Sequence, residues 1–110
     1  MSENVRVIDG SEYEAEVLRS PVPVLLDFFS TECAPCEALA PKYEAVAAKY
    51  AGKVRFLKIF RQGNRELASR LGVSSSPTVI AYRGGQESGP RLVTDIKRSE
   101  LEQAVAGLVG

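Results

Sequence analysis

Residues 24–36 read VLLDFFSTECAPC, an apolar run that ends in a Cys-x-x-Cys motif. The run follows the breakers Pro21 and Pro23, and its successive apolar positions are typical of a strand that is buried on both faces of a sheet. Beyond it, apolar residues recur at every third or fourth position, which predicts an amphipathic helix. These residues are Leu39, Tyr43, Val46, Ala47 and Tyr50. The two cysteines therefore lie where a buried strand passes into a helix.

Cys33 and Cys36 are spaced so that their sulfurs can form a disulfide or remain a dithiol. Pro35 fits the first helical turn, where its missing N–H has no helical partner. Because a helix N-terminus favours the thiolate, we expect the pKa of Cys33 to lie below the free value of about 8.5. Cys33 is the predicted attacking sulfur, and Cys36, one turn deeper, the predicted resolving sulfur.

Length and composition predict one globular domain that spans residues 1–110, with 45% hydrophobic residues. Fourteen basic and fourteen acidic residues cancel without clustering, which argues against nucleic acid or an anionic membrane as a partner. The first residues lack the pattern of a signal peptide, and no apolar stretch approaches the length of a membrane span. We therefore expect a cytoplasmic protein, and a monomer.

The sequence offers few ligands for a metal, since it has two cysteines and no histidine. Two thiolates alone do not complete a tetrahedral zinc site, so we expect neither a metal nor another cofactor beyond a redox-active Cys33–Cys36 disulfide. A reducing compartment disfavours structural disulfides, which makes a dithiol that cycles the leading interpretation. A copper-type metallochaperone, a metal shared across a dimer and an inactive pair remain as alternatives.

Periodicity and turn signals predict the other elements of the chain. Strands are predicted at 5–8, 54–60, 78–82 and near 91–94, and helices at 11–19, 64–71 and from residue 99, with N-caps at Ser11, Asn64 and Ser99. The resulting order, β-α-β-α-β-α-β-β-α, predicts an α/β protein with a mixed sheet and helices on both faces.

This arrangement resembles the thioredoxin family, whose active site is a strand, a Cys-x-Pro-Cys and a helix. The resemblance extends through nearly the whole sequence at Asp27, Pro41, Lys58, Ser76-Pro77-Thr78 and Gly84-Gly85. It implies the thioredoxin fold, with four helices around a five-stranded mixed sheet whose first half is parallel and whose last two strands are antiparallel.

The resemblance also implies a function, the reduction of protein disulfides by dithiol–disulfide exchange through Cys33 and Cys36. Implied partners are disulfide-containing proteins and an electron donor that is similar to thioredoxin reductase. An alternative from another class is a binding or chaperone module of the same fold whose cysteines are dispensable.

Asp27 is a carboxyl group inside an apolar strand, where it either faces water on a one-sided strand or is buried. Its apolar neighbours on both sides favour burial, which raises the pKa of a carboxyl group. The resemblance implies that Asp27 accepts the proton of Cys36 and that Lys58 accompanies this carboxylate. A lysine at a solvent-exposed strand edge is the alternative for Lys58.

Contacts with a substrate are implied by the resemblance for Ala34, Pro35, Ser76, Pro77, Glu32 and Thr94. In the family the proline is cis, and the backbone of the preceding residue pairs with a bound strand. Three positions depart from the family: Glu32 stands in place of tryptophan, and Ala34 and Thr94 in place of glycine. Glu32 complements the helix dipole, but beside a thiolate it also opposes the lowering of the Cys33 pKa.

Overall fold

The computed structural model describes residues 3–109, which form six strands and four helical segments. The strands are β1 (Val5–Ile8), β2 (Val24–Phe29), β3 (Arg55–Phe60), β4 (Thr78–Arg83), β5 (Gln86–Glu87) and β6 (Leu92–Val93). The helices are α1 (Ala34–Lys49), α2 (Arg65–Arg70) and α3 (Arg98–Val109), and an N-terminal helical segment joins a 3-10 turn (Gly10–Glu12) to a π-helix (Glu14–Leu18). No helix in this range is long and apolar enough to cross a bilayer.

The strands form one mixed sheet in the order β1-β3-β2-β4, with β5 and β6 both paired to β4. Strands β1, β3 and β2 are parallel to one another. Strand β4 runs antiparallel to β2, and β5 and β6 run antiparallel to β4. The predicted combination of a parallel half and an antiparallel half is confirmed.

The predicted last strand is divided into two short pieces. Its C-terminal piece is β6, within the predicted 91–94, but the sequence analysis missed β5, which begins directly after the Gly84-Gly85 turn. Between the two pieces stands Pro90, which has no N–H to donate to a sheet ladder. The edge strand is therefore interrupted there.

Strand β2 is the centre of the molecule, and its first five residues are buried. Alternate side chains enter two apolar clusters on opposite faces of the sheet. Leu25 packs with α1 and α3 on one face, and Leu26 and Phe28 pack on the other face with residues of the N-terminal segment and α2. The prediction of a strand that is buried on both faces is confirmed.

Tyr43 attaches α1 to the sheet. Its buried hydroxyl lies 2.8 Å from the carbonyl oxygens of both Leu25 in β2 and Leu57 in β3. Its ring also packs edge-on against Phe56, with the centroids 5.4 Å apart. These contacts fix the helix that carries the two cysteines against the strand that precedes it.

The N-terminal helical segment begins earlier than predicted. Asp9, not Ser11, is the N-cap: its carboxylate accepts the N–H of Ser11 at 2.9 Å and the Ser11 hydroxyl, while Glu12 accepts the N–H of Asp9 at 3.1 Å. Aspartate is among the strongest N-cap residues, so a capping box forms two residues upstream of the predicted one.

The last helix also begins earlier than predicted, at Arg98 rather than after Ser99. Glu100 accepts the N–H of Lys97 at 2.9 Å, which satisfies one donor at the helix start and moves the start upstream. The predicted inner face of this helix is confirmed, because Leu101, Val105 and Leu108 are buried.

Asn64 stands at the N-cap of α2, as predicted, but its side chain does not cap that helix. The amide instead accepts the N–H of Gly10 at 2.7 Å and donates to the carbonyl of Phe60 at 2.9 Å. Asn64 therefore connects the N-terminal segment to the end of β3.

The two glycines of the Gly84-Gly85 turn differ in what a side chain at each position would contact. Both residues have positive φ, but a Cβ on Gly85 would lie 2.5 Å from the carbonyl oxygen of Leu18, whereas one on Gly84 would meet no atom within 4 Å. We expect Gly84→Ala to lower the free energy of unfolding by about 1 kcal/mol, the cost of the left-handed conformation. Gly85→Ala should cost roughly 1–3 kcal/mol more, because the backbone must shift. Urea denaturation measures both, and equal losses would contradict the close contact.

Candidate functional site

The topology of the sheet brings four loops to one edge. Because β2 and β3 are parallel, their carboxyl ends lie together, and the antiparallel strand β4 begins at the same edge. Strand β6, which is antiparallel to β4, ends there as well. The segments that follow β2, β3 and β6 and the segment that precedes β4 therefore meet.

The two cysteines lie at this edge and form a disulfide, with their Cα atoms 5.2 Å apart. Cys33 is the N-cap of α1, where its Sγ accepts the N–H of Cys36 at 3.2 Å, and Pro35 occupies the first turn as predicted. Cys36 is buried, with 8% of its surface exposed, whereas Cys33 is only half-buried. Only Cys33 is thus placed at the surface of the molecule.

The loop before β4 lies against the disulfide. The Ser76–Pro77 peptide bond is cis, and the carbonyl oxygen of Ser76 lies 3.5 Å from Cys33 Sγ. The N–H of Thr94 donates to the carbonyl of Pro77 at 3.1 Å. The structure thus brings Cys33, Ser76, Pro77 and Thr94 together in one surface, although more than forty residues separate Cys33 from the other three in the sequence.

Thr94 has a φ of 65°, a left-handed conformation that is costly for a β-branched residue. Glycine adopts this conformation without a steric cost. The backbone at Thr94 is therefore one that a glycine would fit, as expected if Thr94 stands in place of the family glycine.

Asp27 is buried, with 2% of its surface exposed. It alternates with Leu25 along β2 and so faces α1, and its register partner in β3 is Lys58. Cys36 belongs to the buried face of α1, together with Leu39 and Tyr43. The carboxyl group of Asp27 and Cys36 thus face the same interface between sheet and helix.

The buried environment of Asp27 favours the protonated form of its carboxyl group. Within residues 3–109, Oδ1 accepts no hydrogen bond. Burial raises the pKa of Asp27 from 3.8 to about 7, and the positive charge of Lys58 opposes this rise. A carboxyl group with such a pKa exchanges protons near neutral pH.

Lys58 is half-buried in an inner strand of the sheet, so the alternative of a lysine at a solvent-exposed edge is wrong. Its Nζ lies 4.8 Å from the centroid of the Phe29 ring, which packs against Phe60 at 5.6 Å. This cation–π contact keeps the ammonium group above the sheet, near the carboxyl group of Asp27.

Glu32 and Ala34 flank Cys33 and are both exposed. Glu32 has a φ of 52°, so the chain turns sharply between the end of β2 and the start of α1. Both side chains are therefore accessible beside Cys33.

The sequence analysis missed two residues of this edge, Ser30 and Arg61. Arg61 Nε donates to Ser76 Oγ at 2.7 Å, and the Ser30 hydroxyl donates to the same oxygen at 2.6 Å. A charged residue directly after the apolar strand β3 was a signal that could have indicated Arg61.

Metal ligands do not cluster in the part of the chain that the structure describes, where no group of three or more Cys, His, Asp or Glu side chains could hold an ion.

Comparison with known proteins agrees with this geometry. Residues 4–107 match the sequence model of the Thioredoxin family. The chain is 40% identical to thioredoxin of Peptoclostridium acidaminophilum over 103 residues, which are 94% of each chain. It is also 40% identical to thioredoxin 1 of Nostoc sp. PCC 7120 over 79% of this chain and 80% of that protein. Identity to thioredoxin of Haemophilus influenzae is 36%, over 78% of this chain and 79% of that protein. The resemblance predicted from the sequence is confirmed, and the chain belongs to the thioredoxin family of protein thiol–disulfide oxidoreductases.

Proposed function

We propose that this oxidoreductase reduces protein disulfides with Cys33 as the attacking sulfur and Cys36 as the resolving sulfur. The observation that carries this assignment is the difference in burial between the two sulfurs at the start of α1. Cys33 also has the N–H of Cys36 directed at its sulfur, and such a donor stabilises a thiolate.

The reaction begins with both cysteines reduced. The Cys33 thiolate attacks one sulfur of the partner's disulfide, that S–S bond breaks, and the leaving thiolate takes a proton from water. Cys36 then loses its proton to the Asp27 carboxylate and attacks the Cys33 sulfur. The Cys33–Cys36 disulfide forms, the second partner sulfur leaves and is protonated, and the partner has gained two electrons and two protons.

Docking of the partner takes place on the surface around Cys33. The backbone of Ser76, held by the cis bond to Pro77, pairs with an extended segment of the partner in the manner of strand addition. Glu32, Ala34, Pro35 and Thr94 surround this segment. The support for this proposal is the 3.5 Å contact between the Ser76 carbonyl and the Cys33 sulfur.

The reaction cycle also requires an electron donor and a suitable cellular compartment. An electron donor similar to thioredoxin reductase returns the disulfide to the dithiol, no further cofactor takes part, and the protein works as a single-domain monomer. We place it in the cytoplasm, because a dithiol that cycles needs a compartment that keeps thiols reduced.

The assignment of the two sulfurs predicts selective alkylation. In the reduced protein, iodoacetamide should modify Cys33 far faster than Cys36, because Cys36 is buried and Cys33 is only half-buried. Peptide mass mapping measures the two rates, and equal labelling in the folded protein would overturn the assignment.

Cys33→Ser distinguishes a reductase from a module with dispensable cysteines. We expect this variant to lose all reduction of an insulin disulfide, whereas Cys36→Ser should accumulate a mixed disulfide with the partner. Retention of the protein's effect on a partner in Cys33→Ser would favour the chaperone alternative.

Asp27→Asn should slow the release of the mixed disulfide by at least about a hundredfold, the low end for loss of a general base. Stopped-flow measurement between pH 6 and 9 separates this step from the first attack. A variant that matches the parent rate across this range would exclude Asp27 as the proton acceptor.

The same substitution reports on the pKa itself through stability. The pKa of Asp27 in the folded protein, about 7, exceeds the ordinary value of 3.8. Between these two pH values the carboxyl group is protonated in the folded protein and ionised in the unfolded chain. The free energy of unfolding should fall by on the order of 4 kcal/mol as pH rises from about 4 to about 7 and then level off. Urea denaturation of Asp27→Asn should lack this fall, and parallel profiles would refute a raised pKa.

Glu32 should change both the nucleophile and the choice of partner. Its carboxylate is exposed next to Cys33, so it disfavours the thiolate and attracts basic groups. Glu32→Gln should lower the pH midpoint of Cys33 alkylation by less than about one unit. It should also weaken the salt dependence with which a basic disulfide substrate is reduced. If neither quantity changes, Glu32 does not act on the site.

A further inference from the structure

Arg61 lies directly behind the loop that contacts the disulfide. Its backbone N–H donates to the carbonyl of Phe29 at 2.9 Å and continues the pairing of β2 with β3 by one residue. This pairing places Arg61 beside Ser30, at the edge of the sheet where Ser76 approaches Cys33.

The guanidinium group is held by a neutral partner. Arg61 Nε donates to Ser76 Oγ at 2.7 Å, and that oxygen also accepts the hydroxyl of Ser30. Within residues 3–109 no carboxylate lies within 4 Å of this guanidinium, although six arginine–carboxylate pairs and one lysine–carboxylate pair form elsewhere in that range. The side chain is therefore fixed in position while its charge is not neutralised.

Arg61 also lines an open cavity of about 580 Å³ next to this loop. Arg65 lines the same cavity, whose remaining walls come from Gln62, Ala68, Ser69, Gly72, Val73 and Ser74. Two positive charges and no acidic residue thus face this space. Its electrostatic potential favours an anion beside the loop that contacts the disulfide.

We propose that Arg61 determines specificity by binding a carboxylate that flanks the attacked disulfide in a protein partner. With Nε occupied by Ser76, the two terminal nitrogens present a planar fork that matches the two oxygens of a Glu or Asp side chain. The proposal rests on the docking described under the proposed function, since a segment paired with the Ser76 backbone passes beside Arg61.

Arg61 and Glu32 lie at different places on the docking surface, so its charge is distributed asymmetrically. Glu32 precedes Cys33 at the start of α1, whereas Arg61 lies behind Ser76. Opposite charges therefore belong to different parts of the docking surface. Because strand pairing fixes the direction of the partner chain, an acidic residue should help on one side of the attacked cysteine and not equally on the other.

Three synthetic peptides test this inference. Each has one intramolecular disulfide, with Glu before the attacked cysteine, Glu after it, or Gln at both positions. Single-turnover reduction by the pre-reduced protein at low salt gives a rate constant for each peptide. We expect one Glu peptide to react about threefold to tenfold faster than the Gln peptide, and this ratio to decrease as salt is added.

Two variants assign the preference to Arg61. In Arg61→Gln the ratio of the Glu to the Gln rate should fall to about one, and the use of a ratio corrects for any general loss of activity. Arg70→Gln removes the same charge from an exposed position in α2 that does not line the cavity, and it should keep the parent ratio. Arg61→Lys should keep part of the preference, because it retains the charge but loses the fork.

The outcomes separate this inference from the proposed function. If the parent reduces all three peptides at one rate, or if Arg70→Gln lowers the ratio as much as Arg61→Gln does, the inference is overturned while the reductase function stands. If the parent reduces the Gln peptide no faster than Cys33→Ser does, the proposed function fails, and the inference fails with it.

Discussion

The buried carboxyl group of Asp27 is the constraint around which the site is built. An ionised carboxylate inside a strand that is covered on both faces has lost its hydration, so its neutral form is favoured at any pH below a raised pKa. Within residues 3–109, the positive charge of Lys58 opposes this effect and lowers the pKa of Asp27. The fold thus places a carboxyl group with a pKa of about 7 beneath the helix that carries the cysteines.

The connections of the sheet explain why so many functional residues meet at one edge. A parallel pair of strands, β2 and β3, brings the segments that contain Cys33 and Arg61 together, and the reversal of β4 brings Ser76 to the same edge. The disulfide and the loop that contacts it therefore share one support, the central strands of the sheet. The hydroxyl of Tyr43, which contacts both β2 and β3, holds α1 in register with that support.

The sequence predicted the central part of this arrangement because its signals are strong. An uninterrupted apolar run specified β2, a change of period specified α1, and a carboxyl group among apolar neighbours indicated the burial of Asp27. Helix starts were predicted less well. At the N-terminal segment, both Asp9 and Ser11 are good caps, and the choice between them depends on which turn the tertiary contacts complete.

Other features depend on contacts that no local pattern contains. The division of the last strand into β5 and β6 follows from pairing with β4, and the side chain of Asn64 is diverted to Gly10, fifty-four residues away. The charge of Arg61 after an apolar strand is a local signal, but the place of Arg61 in the site depends on its bond to Ser76, which lies 15 residues away in the sequence. These features are therefore determined by contacts between residues that are distant in the sequence, which local periodicity does not reveal.

Direct titration of Asp27 tests the central claim most closely. Carbon-13 NMR of the side-chain carboxyl group in the oxidised protein, followed from pH 3 to pH 10, reports the pKa without contributions from the cysteine thiols. We expect a midpoint of about 7, which should rise further in Lys58→Met because the opposing positive charge is removed. A midpoint near the ordinary value of 3.8, unchanged by Lys58→Met, would show that burial does not raise the pKa of Asp27.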